Sequence, residues 1–397
     1  MSGIDEEEVR SLRAATPGCS QVIHFNHSGA SLPSQATLDA IIGQLQREAL
    51  SGPMEAAAQG AALQESARQR AARLINAATA SVAFSSSGSA AWGMAFAGLG
   101  PWRAGDRILV GRQEWGGNLA CMAQAVAAGA SVETIPCNAS GAVSVEALQA
   151  MIDERVRLIS LTWLPANGGL INPAAAIGAV ARRHGIAYFI DAGQALGQIE
   201  VDVHALNCDV LKGACRKYLR GPRGTALLYI REGFIERLQP PFLDVLSAPQ
   251  NGEHFHPRGD ARRFETSEVS LALMAGLDNA LAEALELGIA RIRQRVTHLA
   301  AFAREQLASV DGLTLHDLGE PGQQSGLIAL NLQGWDANAL KENLARHGIN
   351  IGANGVAYTP LDMQARGLGS IARVSVSYLN TEEEIEELVQ ALRMIGS

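Results

Sequence analysis

A chain of 397 residues, 47% hydrophobic and 18% charged, can bury one large and one small core and is too apolar for disorder. Its formal net charge of −8 gives no electrostatic reason to expect nucleic acid or an anionic membrane as partner. The five cysteines, an odd number with no C-x-x-C pair, fit a reduced cytoplasmic setting and speak against structural zinc.

The acidic start (MSGIDEEEVR) is not a secretion signal, and without a run of about 18 apolar residues no transmembrane helix is expected. Residues 21–33 read as a short extended stretch and a polar loop holding Asn26, His27 and Ser28. One reading of that loop is a cap for the helix beginning near Ser34. Apolar spacing of three and four predicts helices over 34–50 and 55–78. A strand to Phe84 then meets Ser85-Ser86-Ser87-Gly88-Ser89 ahead of a helix. Free backbone N–H groups and the helix dipole point into such a turn and favour an anion, and the hydroxyls of Ser87 and Ser89 add donors. Ordinary N-caps use the same residues. The strand over 107–110 leads to Gln113-Glu114-Trp115-Gly116-Gly117-Asn118, again before a helix. Strands over 131–137 and 156–164 flank a helix over 145–153, and this alternation implies a mostly parallel sheet with helices on both faces.

The stretch from Tyr188 to Ile230 organises the rest. An apolar run ends at Asp191, and a second, around Val210 and Leu211, leads to Lys217 in a Gly- and Arg-rich turn before a strand over 225–230. A carboxylate and a lysine, 26 residues apart, thus end neighbouring strands at the carboxyl edge, where open α/β sheets bind ligands. A Schiff-base lysine and an acid that keeps a pyridine nitrogen protonated are the two protein groups that pyridoxal phosphate chemistry most needs. Beyond Ile230 a Pro- and charge-rich connection precedes a long helix over 270–308. Strands over 327–332 and 372–378 then alternate with helices over 337–347 and 382–394, an α+β part. The nine histidines are scattered, and only His254 and His256 fall close together, so no metal site is expected.

The order strand, Asp191, Gln194, then Lys217 in a Gly-Pro-Arg-Gly turn resembles the class V branch of fold-type I pyridoxal phosphate enzymes. That branch includes cysteine desulfurases, kynureninase, isopenicillin N epimerase and the C–S lyase of ergothioneine synthesis. The resemblance covers nearly the whole chain. It implies an α/β large domain over 34–250 with a mostly parallel seven-stranded sheet, and a smaller α+β domain from 1–33 and 251–397. It implies pyridoxal 5'-phosphate, cradled by Ser87, Gly88 and Ser89, with Asp191 on the ring nitrogen and Gln194 on the phenolic oxygen. Trp115 would lie flat on the ring, an ordinary core tryptophan being the other reading. Arg216 stands where many relatives carry a phosphate-binding histidine, and a guanidinium suits that anion. Lys217 is then catalytic together with Asp191.

The same resemblance makes Arg373, in IARVSVSYLNTEEEI, the carboxylate-binding arginine, with Leu379 where the family's Y-N-T signature has tyrosine. The N-terminal loop would bring Asn26, His27 and Ser28 to the substrate. Ala166 replaces an Asn or Thr common in relatives, which leaves Asn167 as the substitute contact, and the loop over 354–362 would line the side-chain pocket. Arg220 and Arg223 read equally as scaffold or as anion contacts. Arg263-Phe264-Glu265 resembles the family's R-F-E motif. In desulfurases a Thr three places after that Glu reaches the partner subunit's phosphate; here the place is Glu268, with Thr266 or Ser267 available. The shared active site implies a homodimer.

A desulfurase that transfers sulfur needs a nucleophilic cysteine in its C-terminal part, and none follows Cys215. The wording of DAGQALGQIEVDVHALNCD, RKYLRGPRG and RRFE is most similar to the ergothioneine-type lyases and the epimerase. The expected reaction is therefore β-elimination on a cysteine-derived amino acid, giving pyruvate and ammonia. Epimerisation and transamination are the alternatives. A non-catalytic binding protein of this fold would lack Asp191 or Lys217, and both are present.

Overall fold

The computed structural model describes residues 3–58 and 60–396. The strands, in chain order, are β1 (Ile23–Phe25), β2 (Val82–Ser85), β3 (Arg107–Gly111), β4 (Ser131–Ile135), β5 (Val156–Thr162), β6 (Ala187–Asp191), β7 (Val210–Ala214) and β8 (Ala226–Ile230). A two-residue hairpin follows, β9 (Gln250–Asn251) and β10 (His254–Phe255), and then β11 (Leu313–Leu315), β12 (Leu327–Leu332), β13 (Ile349–Gly355) and β14 (Ser370–Ser375).

Seven of them form one sheet in the order β2-β8-β7-β6-β5-β3-β4, parallel except for β8, which runs antiparallel to both neighbours. The strands β6, β7 and β8 are buried throughout, as expected of a sheet covered on both faces. Alternate residues serve the two faces. Tyr188, Ile190, Leu211 and Leu227 share a core with Leu277 and Leu281 of the helix Leu271–Leu287. Phe189, Val210 and Leu228 share the other with Trp92, Phe96 and Met122.

The second sheet has the order β1-β13-β14-β12-β11 and its own core, in which Val296 and Leu299 meet Ile328, Val374 and Leu388. β1 joins β13 in parallel, and Asn26 bridges to Ser375, so the N-terminal segment is tied to the C-terminal sheet. Two helices are interrupted where apolar spacing predicts continuity. The stretch over 55–78 is a short helix, Pro53–Ala58, and a longer one, Ala61–Leu74. The stretch over 270–308 breaks at Gly288, whose φ of +84° suits glycine and separates Leu271–Leu287 from Ile289–Ala308. Strands β11 and β13 fall outside the predicted elements. Among the described residues no helix is long and apolar enough to cross a membrane, and no three His, Cys, Asp or Glu side chains cluster as metal ligands would.

Candidate active site

The carboxyl ends of β5, β6 and β7 open onto a small cavity of about 80 Å³. Its lining includes Ser87, Gly88, Ser89, Trp115, Asp191, Gln194, Arg216 and Lys217, together with Thr162, Ala166, Lys212 and Ala214. Residues far apart in the chain meet here because β6 and β7 are neighbours in register, Asp191 facing Lys212 across the ladder. A methyl built on Gly193 would lie 2.9 Å from Asp191 Oδ1 and 3.5 Å from Lys217 Nζ, which places the two predicted groups around one point.

Asp191 is buried and fully engaged. Oδ1 accepts from the Gly193 N–H at 2.9 Å, and Oδ2 accepts from Asn118 Nδ2 at 3.1 Å and pairs with Lys212 Nζ at 2.7 Å. Asn118 also donates to Glu114 Oε1 at 2.7 Å. Glu114 is wholly buried and further held by the hydroxyls of Thr162 and Ser160, each at 2.8 Å. Burial, aided by the charge of Asp191, raises the Glu114 carboxyl above its usual range. Burial also pulls the Lys217 ammonium down to about 7. Asp191 opposes that shift, while the cations of Lys212, Arg216 and Arg373 reinforce it.

The helix Gly88–Gly98 starts at the cavity, with Ser87 as its N-cap, its hydroxyl accepting from the Ala90 N–H at 3.1 Å. The N–H groups of Gly88 and Ser89, ahead of those that Ser87 binds, are left to an anion. Arg216, half-buried, is paired with no carboxylate among the described residues, and burial lowers its ionisation. Trp115 caps the helix Gly116–Ala127, its N–H bound to Thr162 Oγ1 at 2.9 Å and its ring 5.3 Å from that of Tyr358, at 60°. Gln194 donates to the Ser28 carbonyl at 3.1 Å, and its Oε1 is buried without a hydrogen-bond partner, as is Asn118 Oδ1.

Behind the cavity Arg373, buried on β14, donates to the Ala166 carbonyl at 2.9 Å. The Asn354 amide lies 3.2 Å from its Nε and Nη1, a separation that calls for the amide oxygen there. Asn167 stands 2.6 Å from Asn354 and donates to Thr359 Oγ1 at 2.8 Å. Asn26 Oδ1, buried and without a partner, converges with Arg373 Nη2 over Gly352, at 2.9 and 3.0 Å from a methyl built there. Burial lowers Arg373 to about 10, so the guanidinium stays charged at neutral pH.

His27 sits apart from the cavity lining. It is buried against Tyr218, with Nδ1 2.9 Å from Ser31 Oγ and Nε2 3.1 Å from Ser377 Oγ, and burial holds it well below the usual histidine range. Ser28 touches the site through its backbone: its N–H donates to Ser375 Oγ and its carbonyl accepts from Gln194. Arg220, open between two readings in the sequence, is scaffold: at φ +63° it binds the Leu32 carbonyl, Tyr378 Oη and Thr16 Oγ1. Lys212, Asn118 and Glu114 are residues of this network that the sequence reading leaves without a role, and Asn354 enters it only as part of the loop over 354–362. Lys212 carries a readable signal, a lone cation in an otherwise apolar buried strand.

The residues fit pyridoxal phosphate. A helix start and Arg216 offer anion donors at one end, Asp191 offers a carboxylate to a ring nitrogen, Lys217 brings an amine of lowered basicity, and Gln194 has an unpaired oxygen in the lining.

Comparison with known proteins identifies the family. Residues 23–388 match the Aminotransferase class-V family. A cysteine desulfurase of Salmonella agona (strain SL483) is 31% identical over 303 residues, 74% of this chain and 72% of that one. Among solved structures, the apo cysteine desulfurase of Thermococcus onnurineus NA1 superposes with a TM-score of 0.89 at 21% identity, covering 97% of both chains. A complex of the cystine C–S lyase C-DES with cysteine persulfide superposes at 0.85 with 23% identity, covering 95% of this chain and 99% of that one. By the extent of the family match and the identity to its relatives, the chain is a member of the class-V aminotransferase family.

Proposed function

We propose that this pyridoxal phosphate enzyme performs β-elimination on a cysteine-derived amino acid, releasing pyruvate and ammonia with a sulfur product. The observation that carries the reading is that Lys217 and Asp191 line one cavity, with Arg373 hydrogen-bonded to the carbonyl of Ala166, another residue of that lining. Pyridoxal phosphate, when bound, supplies an electron sink for bonds at an amino acid's Cα. Arg373 takes the α-carboxylate and so fixes which Cα bond points at the sink. The Lys217 amine, about half of it free base at neutral pH because its ionisation lies at about 7, accepts the Cα proton. Asp191 would hold the ring nitrogen of the cofactor, and the turn at Ser87, Gly88 and Ser89, with Arg216, would hold its phosphate. Trp115 offers an aromatic face, worth about 1 kcal/mol in stacking. Asn26 and Asn167 extend the polar surface around the carboxylate.

The similarity to cysteine desulfurases supports a cysteine-like substrate. The thiols argue for elimination over sulfur relay. Burial raises the ionisation of all five, Cys19, Cys121, Cys137, Cys208 and Cys215, the last to about 12. An attacking thiolate needs the opposite shift.

The test is purified enzyme offered cysteine, cystine and cysteine conjugates. Pyruvate and ammonia in equal amounts are expected, and Lys217→Ala should lose both this activity and the absorbance band of covalently held cofactor. Loss of the Cα hydrogen without pyruvate would replace elimination by epimerisation or transamination. An unchanged band in Lys217→Ala would remove that lysine from its role.

A further inference from the structure

Lys212 has no part in the chemistry just derived, yet it lies at its centre. It is the one charged residue of β7, whose other members are valine, leucine, glycine and alanine. Its ammonium ends 2.7 Å from Asp191 Oδ2, and a methyl built on Gly88 would lie 3.4 Å from it. Lys212 thus stands between the carboxylate and the start of the helix Gly88–Gly98. A methyl on Gly193 would lie 3.5 Å from Lys217 Nζ and 4.0 Å from Lys212 Nζ, so two amines converge on one carboxylate. Asp191 forms its ion pair with Lys212.

We propose that Lys212 is a positioning residue, a fixed cation that occupies Asp191 and thereby keeps the neighbouring Lys217 amine uncharged and nucleophilic. The proposal rests on the reading of Lys217 as the lysine that holds the cofactor. A lysine is a nucleophile only as the free base, and enzymes free it by desolvation or by a second cation close by. Both devices meet at Lys217. The charged groups that face it are Asp191 on β6, Lys212 on β7, Arg216 in its own turn and Arg373 on β14. Tyr218 follows it in the chain, and Glu114 lies one layer further out, behind Asn118. Asp191 is the anion of this set in direct reach. With Lys212 neutral, the carboxylate would turn its full charge on Lys217 and hold it as ammonium. Among the cations, Lys212 is the one that Asp191 itself keeps in place.

The experiment uses the full chain freed of cofactor, so that the Lys217 amine titrates by itself. Trace acylation with acetic anhydride is followed across the lysine ionisation range, and its extent at Lys217 is read by peptide mass spectrometry. The unaltered chain should show a midpoint near 7. Lys212→Met should raise that midpoint by about one unit, a roughly fivefold loss of free amine at neutral pH. Lys212→Arg, which keeps the cation, should titrate like the unaltered chain. A Lys212→Met midpoint equal to the unaltered one overturns the proposal, and so does a Lys212→Arg midpoint that moves equally far. If Lys212→Met does not fold, judged by circular dichroism, Lys212→Gln replaces it. Failure of both neutral variants, with Lys212→Arg folded, would make Lys212 a packing element and also overturn the assignment. The parent reading fails differently, through a cofactor band that survives Lys217→Ala.

Discussion

Arg373 is a buried cation whose partners among the described residues are a carbonyl oxygen and a side-chain amide, not an acid. Burying a charge without a counter-charge is costly, so such a site is built to receive an anion. Asn26 Oδ1, buried and unpaired beside it, suits the ammonium-bearing side of an amino acid better than a second carboxylate. Removing the guanidinium should cost about 1.5–3 kcal/mol of substrate binding, the worth of hydrogen bonds to a charged group. Arg373→Ala should therefore raise KM by roughly 10- to 100-fold with a smaller effect on kcat. Arg373→Lys, a cation without the planar fork, should fall between. An unaltered KM in Arg373→Ala would remove the arginine from substrate binding. Asp191 and Lys217 stand out in the sequence because each sits at a strand end or in a turn, whereas Gln194 and Arg373, the latter inside β14, are singled out by the family resemblance. Lys212 is legible only as an oddity. Its meaning comes from the register between β6 and β7, which no local window contains.

Among the elements, the one that aims the phosphate cradle is held by a single buried ion pair. Arg68, on the helix Ala61–Leu74, meets Glu265 through two hydrogen bonds of 2.7 and 3.0 Å. Glu265 also accepts from the Phe84 N–H at 2.7 Å, and Arg68 donates to the Val82 carbonyl at 2.8 Å. The R-F-E segment and a helix are thereby clamped onto β2, whose end runs into Ser85 and the cradle. Glu265→Ala should cost about 3–5 kcal/mol, since it strands a buried guanidinium. Arg262→Ala, one of the same run but in a half-exposed pair with Asp260, should cost less than about 1 kcal/mol. Denaturant midpoints for both variants decide this, and equal losses would mean that the clamp is not structural. The R-F-E segment itself stands out in the sequence, but its partner Arg68, 197 residues upstream, does not. Helix breaks were hidden for a related reason. Gly288 sits in an unbroken apolar spacing, and only its backbone conformation, reached through packing on two different cores, ends one helix and begins the next.

For the whole molecule, a second cleft is larger than the candidate active-site cavity. It has a volume of about 830 Å³ and is lined by Phe84, Met94, Phe242, Val269 and Leu273, with Ser85 and Ser86 at its inner end. Phe242 and Val269 are exposed, as are Ile42 and Leu45 on the helix Gln35–Ser51, which packs beside Leu271–Leu287. Scattered exposed apolar residues are ordinary, but a cleft of this size with an exposed phenylalanine and valine in its lining fits an interaction surface. We propose that a second copy of the chain occupies it, as the family resemblance leads one to expect. The inner end adjoins Ser87, so a partner seated there would approach the phosphate cradle. Sedimentation should therefore give twice the 41.8 kDa of one chain. Val269→Glu, which buries a charge in that contact, should yield monomers. Such monomers should bind pyridoxal phosphate about tenfold more weakly, from the loss of one hydrogen bond to a charged group. A 41.8 kDa species in the unaltered protein would sink the proposal. A monomeric Val269→Glu that binds the cofactor with unchanged affinity would leave the dimer standing and deny the partner any share in the phosphate site.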